Sequence, residues 1–138
     1  ITLVAGASFA ALSALSIAFL LGANQQTLLS LASKSVTTPI AIAITSEIGG
    51  LESLATGAVV FTGALGLIIA PLIFRLLKID DPRIWGFCMG ITAHGVGTAR
   101  AFELNATAGA FSSLALCLTG TFSAIVIPLT ASLIRNFS

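Results

Sequence analysis

Apolar residues run through this chain in long blocks, divided by short polar breaks. Three blocks, 3–22, 54–77 and 111–133, are long enough to cross a bilayer as helices, since about 20 residues at 1.5 Å rise span the hydrocarbon. None shows the alternation of a transmembrane barrel strand. Two further blocks, 28–48 and 84–104, are each interrupted midway. In the first, Lys34-Ser-Val-Thr-Thr-Pro39 separates Leu28–Ser33 from Ile40–Ile44. Pro39 has no amide hydrogen and disfavours helix at Thr38. In the second, His94-Gly-Val-Gly-Thr-Ala-Arg100 brings together the chain's only histidine, an arginine and two helix-weakening glycines. The pattern predicts an all-α, polytopic transmembrane protein with two discontinuous, broken helices, each a pair of half-helices. Non-helical backbone at membrane depth survives only inside protein or beside a wet cavity. A Pro-kinked ordinary helix is the competing reading of 28–48.

Composition agrees. Charged residues make up 8% of the chain and mean hydropathy is +1.09. An ordinary soluble domain carries about 25% charged residues, and this chain cannot build such a polar shell. The net charge of +1 says nothing about partners, and no basic run suggests nucleic acid, so no nucleic-acid partner is expected. Cys88 and Cys117 sit in apolar sequence without metal-ligand spacing and read as buried, reduced thiols. No cofactor or metal is expected. The first block lacks the basic start and cleavage site of a signal peptide. Because the chain opens at Ile1 in apolar sequence, 1–138 reads as one transmembrane domain without its first spans.

Two units of the chain look alike. Val36, Thr38 and Ala41 match Val96, Thr98 and Ala101 at an offset of about 60. Thr62-Gly63 and Pro71-Leu72 match Thr119-Gly120 and Pro128-Leu129 at an offset of about 57. Each unit is a broken helix followed by a proline-containing span. Paired discontinuous segments in corresponding halves point to a transporter binding site near the midplane. Counting both broken helices as crossings puts Arg75, Lys78, Arg83 and Arg135 on one, cytoplasmic side. Loops 45–53 and 105–109, with Glu47, Glu52 and Glu103, then lie outside.

The breaks hold the candidate chemistry. Arg100 is a permanent cation whose guanidinium suits a carboxylate; an ion pair with Glu103 or snorkelling is the structural alternative. Lys34 is the corresponding charge in the first break, for anion binding or for snorkelling. Thr37, Thr38 and Thr98 can offer hydroxyls to substrate or back-bond to their own helices. Gly95 and Gly97 permit close backbone approach. His94 can couple a proton or serve as a neutral hydrogen-bonding residue. Half-helix amino termini near Ile40 and Ala99 would present amides to an anion. The single histidine has no evident acidic orienter and no serine stands in a nucleophile elbow, so an enzyme is not expected. Trp85 reads as an interfacial anchor.

At KSVTTPIA (34–41) and HGVGTARA (94–101) the sequence resembles the LrgB/CidB family of bacterial membrane proteins. The likeness extends through IGGL (48–51), KIDDPRIWG (78–86) and AGAFSSLALCLTG (108–120), over nearly all of the chain from Leu28. Family members commonly carry a proline just ahead of the lysine, where this chain has Ala32-Ser33. Their domain extends further at the amino end. The resemblance implies a multi-pass protein of the bacterial cytoplasmic (inner) membrane, partnered by a small LrgA/CidA-type membrane protein. It implies holin- or antiholin-like roles in murein hydrolase regulation and lysis. Plant relatives resemble plastid glycolate/glycerate transporters, and some bacterial members are linked to pyruvate uptake. The residues favour a carrier of small monocarboxylates, with Arg100, Lys34, Thr37, Thr38, Gly95, Gly97 and Thr98 holding the anion and His94 coupling a proton. The alternative is a lysis regulator that works by homo-oligomerisation through small-residue faces such as Ala10/Ala14/Ala18 and Gly86/Gly90.

Overall fold

The computed structural model describes residues 1–136. Over them the chain forms seven helices: α1 Thr2–Leu20, α2 Gln25–Ala32, α3 Thr38–Ile48, α4 Glu52–Leu76, α5 Pro82–Thr92, α6 His94–Leu104 and α7 Ala106–Asn136. Three are long and apolar enough to cross a membrane, namely α1, α4 and the Ala106–Ser132 part of α7. This is an all-α membrane protein, as the hydrophobic blocks predict.

The side chains are distributed as lipid solvent requires. Phe9, Leu12, Phe19, Phe61, Leu65, Ile68 and Leu72 face outward, whereas Ala7, Ala41, Ala55, Ala93, Ala101 and Ala115 are buried. Lipid tails are as apolar as leucine, so burying leucine gains little there. Helices associate instead through small residues that let backbones approach.

The short helices fold back as hairpins. The Oγ of Ser33 on α2 lies 2.6 Å from Oγ1 of Thr45 on α3. One turn nearer the start of α2, Ser30 Oγ accepts the amide of Leu51, beyond the end of α3, at 2.6 Å. The two helices therefore run antiparallel, with residues 33–37 as the tip. In the second pair, Gly97 packs on the carbonyl of Met89, eight residues earlier, which an uninterrupted helix cannot do. Asp80, Pro82 and Trp85 at the start of α5 share a pocket with Leu104 and Asn105 at the end of α6. Its tip is the single non-helical residue Ala93, followed by His94 at φ 52°, in the left-handed region. An 11-residue helix reaches about 16 Å, roughly half the hydrocarbon thickness. Both tips thus end near mid-depth.

This changes the topology expected from the sequence. Blocks 28–48 and 84–104 enter and return from one face each, so neither counts as a crossing. Each unit then holds one crossing, which inverts the second unit relative to the first. Taking the end where α4 begins as the upper face, the first hairpin enters from above and the second from below. Arg75, Lys78 and Arg83 lie at the lower face. Arg100 and Glu103, near the end of α6, lie toward the same face and not opposite it. The carboxy end of α7 lies at the upper face, so Arg135 does not share a side with the basic loop; its side chain is outside the described residues. The expected loop 105–109 shrinks to Asn105, whose Oδ1 accepts the amides of Thr107 and Ala108 at the start of α7. Cys88 is half-buried and Cys117 is exposed on α7, so the second is not the buried thiol expected. Cys117 stands on the lipid-facing side with Leu114 and Leu118.

The long helices receive the tips. Gly63 and Gly66, midway along α4, abut the carbonyls of Ala93 and Thr92. Gly120, midway along α7, abuts Ile40 in the first turn of α3. Each unit's long helix therefore seats the other unit's hairpin tip.

Candidate functional site

Local sequence explains where the helices begin. Asn24 caps α2 by accepting the amide of Thr27. Asp81 caps α5 through the amide of Arg83, with Pro82 preset for the first turn. Asn105 caps α7. All three caps lie at hairpin bases or helix ends near the faces. Leu51, before α4 at the upper face, makes no side-chain cap bond. Thr37 precedes α3 and Ala93 precedes α6, and neither makes a side-chain cap bond. The first amides of a helix have no partner within it, and its positive dipole end attracts anions. Two uncapped amino termini therefore converge at mid-depth.

A cavity of about 310 Å³ lies between them. Its walls are Thr37, Thr38 and Pro39 from the first tip, Ala93, His94, Gly95 and Val96 from the second, and Val59, Val60 and Gly63 from α4. His94 is 3% exposed, and neither ring nitrogen has a hydrogen-bond partner. Buried polar side chains are normally paired, so an unpaired one marks a place where a ligand or water belongs. Thr119 Oγ1 is the other buried side-chain polar atom without a partner among the described residues.

The expected site residues divide into two groups. Thr37, Thr38, His94 and Gly95 come together at the cavity. Gly97 instead closes the second hairpin against Met89 and Ala93. Thr98 turns to α7: its hydroxyl donates to the His94 carbonyl at 2.9 Å and lies 2.9 Å from Ser112 Oγ. Lys34, half-buried beside the cavity-lining tip residues, donates to Ser35 Oγ at 3.1 Å. Arg100 stands outside the cavity wall, half-exposed, in an ion pair of 2.7 Å with Glu103. That pair is the structural alternative weighed from the sequence.

Sequence reasoning missed the α4 wall. Val59, Val60 and Gly63 carry no chemistry that would single them out. Only the Thr62-Gly63/Thr119-Gly120 match pointed to this level of the long helices. The amino termini themselves start earlier than expected, at Thr38 and His94, not at Ile40 and Ala99. Trp85 packs its ring against Phe74, centroids 5.5 Å apart, and helps to seat the base of the second hairpin on α4.

Known proteins match this sequence over part of their length. An uncharacterized protein of Bacillus subtilis, YwbG, is 37% identical over 103 residues, covering 75% of this chain and 46% of the relative. An uncharacterized protein of Haemophilus influenzae is 33% identical over 136 residues, covering 99% of this chain and 59% of the relative. A protein of Staphylococcus epidermidis named holin-like protein CidB is 31% identical over 107 residues, covering 78% and 47%. The chain thus spans about half the length of the curated relatives it matches. No solved structure matches it. The LrgB-like family model matches residues 1–133, and the chain, with its paired motifs and membrane helices, belongs to the LrgB-like family.

Proposed function

We propose that this chain forms part of a bacterial cytoplasmic-membrane carrier for small monocarboxylates such as pyruvate, glycolate or lactate. The observation that carries the reading is the meeting of two uncapped helix amino termini and the unpaired His94 at one mid-depth cavity. Unpaired amides at positive dipole ends suit a carboxylate. The Thr37 and Thr38 hydroxyls suit a hydroxy or keto group next to it. Lys34 is the cation on the tips, His94 is the group able to carry a coupled proton, and no chemical step is required of the protein. The cavity holds a molecule of a few heavy atoms, and its apolar α4 wall suits a short carbon chain. Under the positive-inside rule, Arg75, Lys78 and Arg83 support a cytoplasmic lower face.

The test is uptake of labelled pyruvate by the full-length protein in proteoliposomes. Uptake should saturate and should fall at least tenfold in His94→Ala, while Arg100→Ala keeps most of it. Uptake unchanged in His94→Ala, or abolished only in Arg100→Ala, would move the site away from the tips.

The name of the staphylococcal relatives favours a second reading, a holin-like regulator of murein hydrolase activity and lysis that acts through oligomers or with a small LrgA/CidA-type partner. It predicts dye leakage that depends on the amount of protein, with no saturable uptake. Leakage lost in Ala14→Leu at wild-type yield of folded protein, but retained in His94→Ala, would support it over the carrier.

A further inference from the structure

We propose that Gly63 is a specificity-determining residue, whose missing side chain sets the longest carbon chain that the tip cavity accepts. The inference rests on the reading of that cavity as a site for small monocarboxylates. It starts from the lining. Pro39, Val60, Gly95 and Val96 are exposed and form a rim, whereas Val59, Gly63, Ala93 and His94 are buried and form the inner wall. A bound molecule is most confined at that wall. Val59 is fixed there in a cluster with Val36 and Ala41, and Ala93 in another with Ala70, Phe74 and Met89. Gly63 alone of these brings no side chain.

The fold does not require this glycine. A Cβ built on Gly63 would have one neighbour within 4 Å, the Ala93 carbonyl oxygen at 3.4 Å, which is ordinary contact. Its backbone is not left-handed either. Neighbouring glycines differ. One turn on, a Cβ on Gly66 would lie 2.9 Å from the Thr92 carbonyl oxygen and 3.1 Å from the Ala93 Cβ, and one on Gly97 would lie 2.6 Å from the Met89 carbonyl oxygen. Those two answer to backbone packing. Gly57, also on α4, has open space beside it, but it is exposed and outside the cavity lining. Gly63 combines open space with burial in the cavity wall.

A glycine inside a helix destabilises it relative to alanine. A buried glycine that the packing would let become alanine therefore points to room kept for something else. Val59, Val60 and Gly63 recur at three- and four-residue spacing and share one face of α4. With the carboxylate at the amino termini of α3 and α6, the carbon chain lies along this face. A methyl group on Gly63 would take up room at its buried end.

The experiment uses the full-length protein in proteoliposomes, with glycolate, lactate, α-hydroxybutyrate and α-hydroxyhexanoate as probes, a series that differs in chain length. In Gly63→Ala the melting temperature in detergent should hold or rise. Half-saturation for glycolate should stay within about twofold of wild type, while that for the longest acid the wild type transports rises roughly tenfold or more, the scale of one methyl group in an apolar pocket. Gly57→Ala adds the same methyl to the same helix outside the cavity and should leave the whole series unchanged. A lower melting temperature in Gly63→Ala shows that the fold needs the glycine and overturns the proposal. An equal change for all the acids, no change for any, or the same length-dependent change in Gly57→Ala overturns it too, and saturable uptake by the wild type then leaves the carrier reading standing. If the acids raise the melting temperature of the wild type without being transported, the carrier reading fails alone. A loss of that rise for the longer acids in Gly63→Ala then still supports the assignment, and full retention overturns it. A wild type that the acids neither stabilise nor cross overturns both.

Discussion

The two hairpins do the same geometric work with different chemistry. The first turns through five non-helical residues, 33–37, and is tied by hydroxyls: Ser33 to Thr45, and Ser30 to the amide of Leu51. The second turns through Ala93 and His94 and closes where Gly97 packs on the carbonyl of Met89. Gly86 and Gly90 seat it on α7, against the carbonyls of Ala108 and Ser112. A long turn leaves helix ends apart, so side chains must bridge them. A one-residue turn brings backbones together, so side chains must be absent. The price of the tighter turn is a left-handed histidine, a conformation that L residues other than glycine adopt at a cost. That strain holds the imidazole in the cavity wall, where the looser first tip offers Thr37 and Thr38.

The comparison can be broken at the glycines first. Gly86→Leu or Gly90→Leu drives a branched side chain into backbone of α7, which cannot yield as a side chain can. Either should cost about 3 kcal/mol or more and remove most folded protein from detergent extracts, read as the monodisperse fraction on a sizing column. Normal yield and melting temperature would show that α5 and α7 are not in contact. At the first hairpin the losses should be smaller. Thr45→Val and Ser30→Ala each remove one buried hydroxyl contact and should cost about 1 kcal/mol, seen in denaturant or thermal unfolding. The double variant should be less than additive only if the two ties act as one clasp.

Charge at the lower face should matter least. Arg100→Ala removes a half-exposed pair with Glu103, worth about 0–1 kcal/mol, so its melting temperature should be nearly that of wild type. Asp81 gives a pH signature. The Arg83 side chain, hydrogen-bonding its carboxylate, lowers its pKa to about 2. A depressed carboxylate stabilises the fold above its unfolded pKa of about 4 and loses that contribution as pH falls toward 2. Asp81→Asn should therefore flatten the acid limb of the stability profile between those values. An unchanged acid limb would mean that the cap does not depend on charge.

Much of this was written in the residue pattern. Length and apolarity alone mark α1, α4 and α7, because a helix must satisfy its own backbone in lipid and needs about 20 residues to cross. Pro39 and the glycines around His94 mark the breaks, because those residues cannot continue a helix cheaply. The Thr-Gly and Pro-Leu matches mark the repeat. His94, Thr37 and Thr38 could be marked as candidate site residues because polar groups are costly at that depth, and Gly95 because glycine weakens a helix.

Direction and distance were decided only in three dimensions. A break in a helix permits either a straight continuation or a reversal, and residue types do not distinguish them; the contacts of Ser33 with Thr45 and of Gly97 with Met89 do. One reversal moves Arg100 from the expected substrate wall to a surface pair with Glu103, and turns a parallel repeat into an inverted one. Which segments enter the membrane and where the backbone must break could be read from residue types, since both follow from local solvation and backbone sterics. That the breaks are hairpin tips seated on Gly63 and Gly120 came from the packing, because it depends on which distant surfaces fit most closely.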